Sequence, residues 1–176
     1  IQGDILEGID LQINSSNSFD TVWLVNVLEH VIDPLGLLNK LSQLIKLDGV
    51  LVITVPNDGS RYQEKLLEKG NLTDRFWICS PDHLNYFNTE NFYSVCEATG
   101  WQIIEVHGGF PIDLYLAHDG SNYVNEPQNG PKAHNARLEI ENLIFANGIE
   151  KTAKLYQSLA AVGLGRDITF FLTKEN

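Results

Sequence analysis

Phe19-Asp20-Thr21-Val22-Trp23-Leu24-Val25-Asn26-Val27, then Asp33-Pro34, then Val50-Leu51-Val52-Ile53-Thr54-Val55 decide the fold. The first run is rich in β-branched and aromatic residues, which suit a strand. Asp33 then reads as a helix N-cap with Pro34 at the first helical position. Leu37, Leu38, Leu41, Leu44 and Ile45 follow at helical spacing and form one apolar face. Asp48-Gly49 reads as the helix stop. Val50 to Val55 is apolar throughout, the mark of a strand buried on both faces. Pro56-Asn57-Asp58-Gly59 closes it as a tight turn. Strand, helix and strand with short connections make a βαβ unit, which requires a parallel pair.

Working outward, Asn88 or Thr89 caps a helix carrying Phe92, Val95 and Cys96, and Gly100 ends it. Trp101 to Val106 reads as the next strand. Residues 108 to 130 read as a long loop, followed by helices near 132–146 and 149–162. Asp167 to Thr173 is the last strand. The order describes half of a doubly wound α/β sheet. Residues 1–176 read as a single domain, with 108–163 a loop and helical insertion within it.

The composition narrows the function. The 176 residues are 43% hydrophobic and 20% charged, as in a globular domain. Acidic residues outnumber basic ones 23 to 12, for a formal charge of -11. The basic residues are scattered, so nucleic acid is not an expected partner. Apolar runs are strand-sized, so no membrane span is expected. Cys79 and Cys96 have no metal-ligand spacing and read as reduced thiols of a cytoplasmic protein. The chain holds no methionine and opens on Ile1 in mid-pattern, so a fragment of a longer protein is expected.

In such sheets, ligands bind beyond the C-terminal ends of the strands. After the first strand come Asn26, Glu29 and His30: an amide, a carboxylate and an imidazole within five residues. Glu29 could orient His30, and His30 could take a proton near neutral pH. A solvated turn is the competing reading. His83 and Tyr86, in the loop before the later helix, could touch a substrate or simply pack there. His107, His118 and His134 lack metal-site spacing. The tract Gly163-Leu164-Gly165-Arg166-Asp167 precedes a strand instead of opening a helix, so it is not a phosphate loop. Arg166 could pair with an anionic substrate, but the structural reading is favoured.

Ser18-Phe19-Asp20-Thr21-Val22, Asn26-Val27-Leu28-Glu29-His30-Val31 and Asp33-Pro34 resemble the central region of class I S-adenosylmethionine-dependent methyltransferases. Leu44 to Asn57, His83-Leu84-Asn85-Tyr86-Phe87 and Gly100-Trp101 are similar to that family's later motifs. The resemblance spans about Gly3 to Val106. It implies a Rossmann-like sheet, here lacking its first strands, with a helical insertion before a final antiparallel strand.

It also implies S-adenosylmethionine as cofactor. Gly3-Asp4-Ile5 stands where the family grips adenine, with Asp4 as the acid. Asn26 and Val27 stand near the methionine portion. The family's glycine-rich loop and ribose-binding acid would lie before Ile1. Methyl transfer to an oxygen or nitrogen of a small molecule is the implied reaction. His30 is the expected base, Glu29 its partner and His83 the reserve, with Tyr62 and Tyr86 lining the acceptor pocket.

Residues 110–176 resemble the tail of bacterial methyltransferases of surface polysaccharide pathways, which suggests a sugar hydroxyl as acceptor. Related quinone-ring methyltransferases hold a divalent ion at positions matching Asn26, Glu29 and His30. An amide replaces the first acid here, so no metal is expected. The missing strands would leave one edge of the Phe19–Val27 strand open, for a homo-oligomer or another partner to cover. A non-catalytic methyltransferase-like subunit is the alternative function. A nicotinamide-dependent enzyme has less support.

Overall fold

The computed structural model describes residues 4–175. In chain order the elements are α1 (Ile5–Asn14), β1 (Phe19–Val25), α2 (Pro34–Leu44), β2 (Ile45–Pro56), α3 (Arg61–Glu68), α4 (Phe92–Thr99), β3 (Trp101–Gly108), α5 (Gly130–Phe145), α6 (Ile149–Ala161) and β4 (Asp167–Lys174). The strands form one four-stranded sheet in the order β1-β2-β4-β3. β1 and β2 are parallel, as the βαβ reading requires. β4 runs antiparallel between β2 and β3, with Leu51 opposite Leu172 and Ile53 opposite Phe170. The final strand therefore takes the inserted, antiparallel place that the family resemblance implies.

One face of the sheet carries the main core. Leu37, Leu38, Leu41 and Leu44 of α2 are buried against Leu51, Ile53, Val55, Phe170 and Leu172. Each such side chain is worth about 1.5–3 kcal/mol relative to exposure. Phe92 of α4 stacks on Phe170 with ring centroids 3.9 Å apart, and Trp101 Nε1 donates to the Leu38 carbonyl at 3.3 Å. α1 packs on α2 at the margin, its Asp10 paired with Lys40.

On the other face α6 packs over β3, where Gln157 bonds Glu105 at 2.8 Å. No described element covers β1 on that side. Trp23 is 65% and Val25 50% exposed. Among the described residues β1 pairs with β2 alone, so its outer edge is open as well.

The structure differs from the sequence reading in five places. α4 begins at Phe92 with Asn91 as its N-cap, so neither Asn88 nor Thr89 caps it; Asn88 Oδ1 instead accepts from the Asn91 N–H at 2.9 Å in the turn before it. β1 stops at Val25 instead of Val27, because Asn26 takes a left-handed φ of 50°, which asparagine tolerates. Asp48-Gly49 is not a helix stop: the strand begins directly at Ile45 and runs through both residues. A Cβ on Gly49 would lie 2.7 Å from Ile45 Cγ2 and 2.9 Å from the Asp20 carbonyl, so glycine permits this irregular start of the β1–β2 pairing. Two helices, α1 and α3, were not foreseen; Asp4 caps the first, and a Ser60–Gln63 capping box opens the second. The 108–130 stretch contains three short 3₁₀ turns, the longest Ile112–Ala117. Leu116 from that turn joins Leu66, Leu72 and Trp77 in a second small core, which anchors the stretch against α3. None of the described helices is long and apolar enough to cross a membrane.

Candidate functional site

The site is built where β1 and β2 end side by side. Asn26 donates its N–H to the Thr54 carbonyl at 2.9 Å, the last link between the two strands. The chain then turns through a short 3₁₀ segment, Leu28–His30. Leu28 is fully buried and pins that turn to the core. Glu29 follows at 1% exposure, while His30 reaches towards solvent.

The loop before α4 is clipped onto this turn. Leu84 and Asn85 both donate their N–H groups to the Glu29 carbonyl, at 2.8 and 3.1 Å, and the Asn85 side chain donates to the Val31 carbonyl at 2.7 Å. That clip sets His83 against His30, with ring centroids 4.9 Å apart and planes 78° apart. Tyr86 lies on the other side of His83, ring centroids 6.2 Å apart, and donates its hydroxyl to the His83 carbonyl at 3.2 Å.

His30 Nδ1 stands 2.7 Å from the Asp82 carbonyl. A carbonyl can only accept, so Nδ1 carries the proton and Nε2 of the neutral ring keeps its lone pair. Glu29 Oε1 lies 3.7 Å from that Nε2. Glu29 Oε2 is buried without a hydrogen-bond partner. Burial raises the Glu29 carboxyl above the usual range, against smaller opposing effects from its own backbone and from His30 and His83. A carboxylate in this place favours a positively charged neighbour, and both imidazoles can become one.

Glu29, His30 and His83 each offer one ligand atom, all within 4.8 Å of one another, so together they could hold a metal ion. The sequence reading weighed Asn26, Glu29 and His30 for that purpose. The structure instead puts His83 beside the last two.

The remaining expected residues fall in two places. Tyr62 and Tyr86 both border the second small core, with Tyr62 on α3. Burial raises the Tyr62 phenol above its ordinary range, so it remains a hydroxyl donor. Asp4 and Ile5 stand at the N-terminus of α1; Gly3 lies outside the described residues. Asp4 Oδ1 accepts from the Leu6 and Glu7 N–H groups at 2.8 and 3.3 Å. Both bonds use one oxygen, so capping a helix and accepting an amine from a ligand are compatible uses of this carboxylate. Ile5 packs on the main core. Val27 also packs there, while Asn26 is exposed at the strand end.

Two polar residues of the site were missed by sequence reasoning. Asp58, placed in a tight turn, is buried and lies 3.4 Å from His83. Arg166 binds Asp58 at 2.9 Å from a position 108 residues later. No local spacing could have joined them. A groove of about 500 Å³ lies nearby in sequence, between Ser60, Asn88, Tyr93 and Val162, but neither histidine lines it.

With this geometry in view, the comparisons with known proteins place the chain. A family model described as a methyltransferase domain matches residues 7–106. The chain belongs to that methyltransferase-domain family. Its fold is that of the class I S-adenosylmethionine-dependent methyltransferases. It superposes on a SAM-dependent methyltransferase from Archaeoglobus fulgidus with a TM-score of 0.55 and 19% identity, covering 99% of this chain and 66% of that one. A Haemonchus contortus phosphoethanolamine N-methyltransferase gives a TM-score of 0.45 at 15% identity, covering 92% of this chain and 35% of that one. An O-methyltransferase from a Brevibacillus brevis polyketide multienzyme gives 0.46 at 12% identity, covering 90% and 45%. The chain thus spans under two thirds of the length of these structures. No curated protein sequence matches it.

Proposed function

We propose that this chain is the acceptor-side portion of an enzyme that transfers a methyl group from S-adenosylmethionine to an oxygen or nitrogen of a small molecule. The observation that carries this reading is Glu29, buried and partner-seeking, beside two imidazoles at the C-terminal end of β1.

Asp4, Ile5, Asn26 and Val27 are the residues that would hold the cofactor. S-adenosylmethionine supplies an electrophilic methyl group when bound. The chain's own work is to hold the acceptor in line and to take its proton. His30 does the second through Nε2, with Nδ1–H anchored on Asp82. Glu29 stabilises the resulting imidazolium. His83 is the neighbouring imidazole in reserve, and Tyr62 and Tyr86 bound the acceptor.

A sugar hydroxyl of a surface polysaccharide pathway is the acceptor proposed first, on the resemblance of residues 110–176 to such enzymes. A cytoplasmic, bacterial protein accords with that reading. The formal charge of -11 argues against a nucleic-acid acceptor.

The uncovered β1 face favours one second reading, a methyltransferase-like subunit that pairs through that face without catalysing. Calorimetric titration of S-adenosylhomocysteine into this chain and into a longer parent separates the two. Binding by the parent supports the enzyme, and binding by neither supports the subunit.

A further inference from the structure

Asp58 is fixed from every side. Its N–H donates to the Phe87 carbonyl at 2.7 Å, and its own carbonyl accepts from the Asn88 side chain at 3.4 Å. Its carboxylate is 1% exposed. Oδ1 accepts from Arg166 Nη1 at 2.9 Å, while Oδ2 stands 3.4 Å from His83 Nδ1. Both atoms are buried without a hydrogen-bond partner among the described residues, and at 3.4 Å, just beyond a formed hydrogen bond, each is the polar atom that the other faces.

Arg166 is equally constrained. It sits at the entrance to β4, its carbonyl accepting from Asn57 N–H at 2.9 Å and its guanidinium 5.6 Å from the Phe76 ring centroid. The approach that delivers it needs glycine. Gly165 has a φ of +125°, and a Cβ there would lie 2.8 Å from Gly108 Cα. Burial works against the Arg166 charge, but Asp113, Asp58 and Asp167 more than offset it. The guanidinium therefore stays charged and holds the Asp58 carboxylate in place beside His83.

We infer that Asp58, clamped by Arg166, is a positioning residue that fixes the proton of His83 on Nδ1. A carboxylate has no proton to give, so it can bond Nδ1 only when Nδ1 carries one. A neutral imidazole has a single N–H, which leaves Nε2 of His83 as a lone pair. His83 and His30 then share one tautomer, His30 through its bond to the Asp82 carbonyl at 2.7 Å and His83 through the carboxylate oxygen that faces its Nδ1 at 3.4 Å. Two rings with centroids 4.9 Å apart then each keep Nε2 as the acceptor. The role of His83 in turnover rests on the methyl-transfer reading; its tautomer does not.

Asp58→Asn tests this at nearly constant volume. Arg166 retains the amide oxygen, which turns the amide NH₂ towards His83 Nδ1. Nδ1 must then accept, and the proton moves to Nε2. The probe is two-bond ¹H–¹⁵N correlation on ¹⁵N-histidine-labelled protein near pH 8, with His83→Gln assigning the signals. We expect the Nδ1–H pattern for His83 in the wild type, which needs no variant to fold, and the Nε2–H pattern in Asp58→Asn. In the full-length protein Asp58→Asn leaves S-adenosylhomocysteine affinity unchanged, since Asp58 stands on the acceptor side.

An Nε2–H wild-type His83 overturns the inference, and so does an unchanged tautomer in Asp58→Asn. A full-length protein that keeps the Nδ1–H tautomer yet binds no S-adenosylhomocysteine counts against the methyl-transfer reading instead.

Discussion

His30 donates its Nδ1–H to the backbone carbonyl of Asp82, 52 residues further along the chain, at 2.7 Å. The bond decides which nitrogen is available for chemistry. It also ties the turn after β1 to the loop before α4 without using the carboxylate of Glu29.

His30→Ala in the full-length protein should lower turnover by about 10²–10⁴-fold, the usual worth of a positioned general base. Binding of S-adenosylhomocysteine should stay near the wild-type value, since His30 stands on the acceptor side. Wild-type turnover in this variant would remove His30 from the mechanism.

Glu29→Gln should stabilise the fold while impairing the enzyme. Burial holds the Glu29 carboxyl above its ordinary value, so the folded chain binds that proton more tightly than the unfolded chain does. The contribution of the group to stability is complete below the unfolded value of about 4.3. It is lost as pH rises through the raised folded value, and above that the buried charge is a cost. Denaturant melts at pH 8 should therefore show the variant more stable by about 0.5–2 kcal/mol, with the gain gone near pH 4. A variant less stable than wild type at pH 8 would show that the carboxylate is better paired than its surroundings indicate.

Asp4→Asn separates capping from ligand binding. Asparagine caps a helix as well as aspartate does, so the melting temperature should hold. The lost charge and acceptor should weaken S-adenosylhomocysteine binding in calorimetry. Asp4→Ala should lose the cap too, at a cost of about 1 kcal/mol. Equal dissociation constants for all three proteins would confine Asp4 to its role at the head of α1.

Chelation tests the acid–base reading against a cation. With His30 as base, EDTA treatment and desalting should leave turnover unchanged. A loss restored by added magnesium or manganese would reassign Glu29, His30 and His83 as ligands of that ion.

Much of the architecture was legible in the sequence, for physical reasons. Asp33-Pro34 is a start signal with few alternatives, and it caps α2 by accepting from Gly36 N–H at 2.8 Å. Gly100 ends α4 at a φ of 68°, as its position after Thr99 implies. Val50 to Val55 had to be a central strand, since few other settings bury a run like this one, in which Leu51, Val52, Ile53 and Val55 are buried and Val50 and Thr54 half-buried. Asp48-Gly49 misled because the same dipeptide serves a turn or a close approach of two strands, and only the neighbour β1 decides between them.

The site was half legible. Glu29 and His30 are adjacent in sequence and fall where this fold binds ligands. Asp58 was not legible as a partner. Whether an aspartate after a strand faces water or an imidazole depends on Asn85, which draws in the loop bearing His83, and on Arg166, which arrives with the last strand. Both are tertiary facts with no local signature.

The placement of β4 between β2 and β3 has a consequence for synthesis. On the ribosome, β2 and β3 emerge well before the strand that joins them, and the two sheet halves must wait until residues 167–174 clear the exit tunnel. At about 5–20 residues per second that wait lasts seconds, with the apolar faces of Leu51, Ile53 and Trp101 short of their final neighbours. Arg166 is translated immediately before the same strand. A nascent chain that stalls short of it lacks both the centre of its sheet and the cation that secures Asp58, so completion of the fold and completion of the site become a single event.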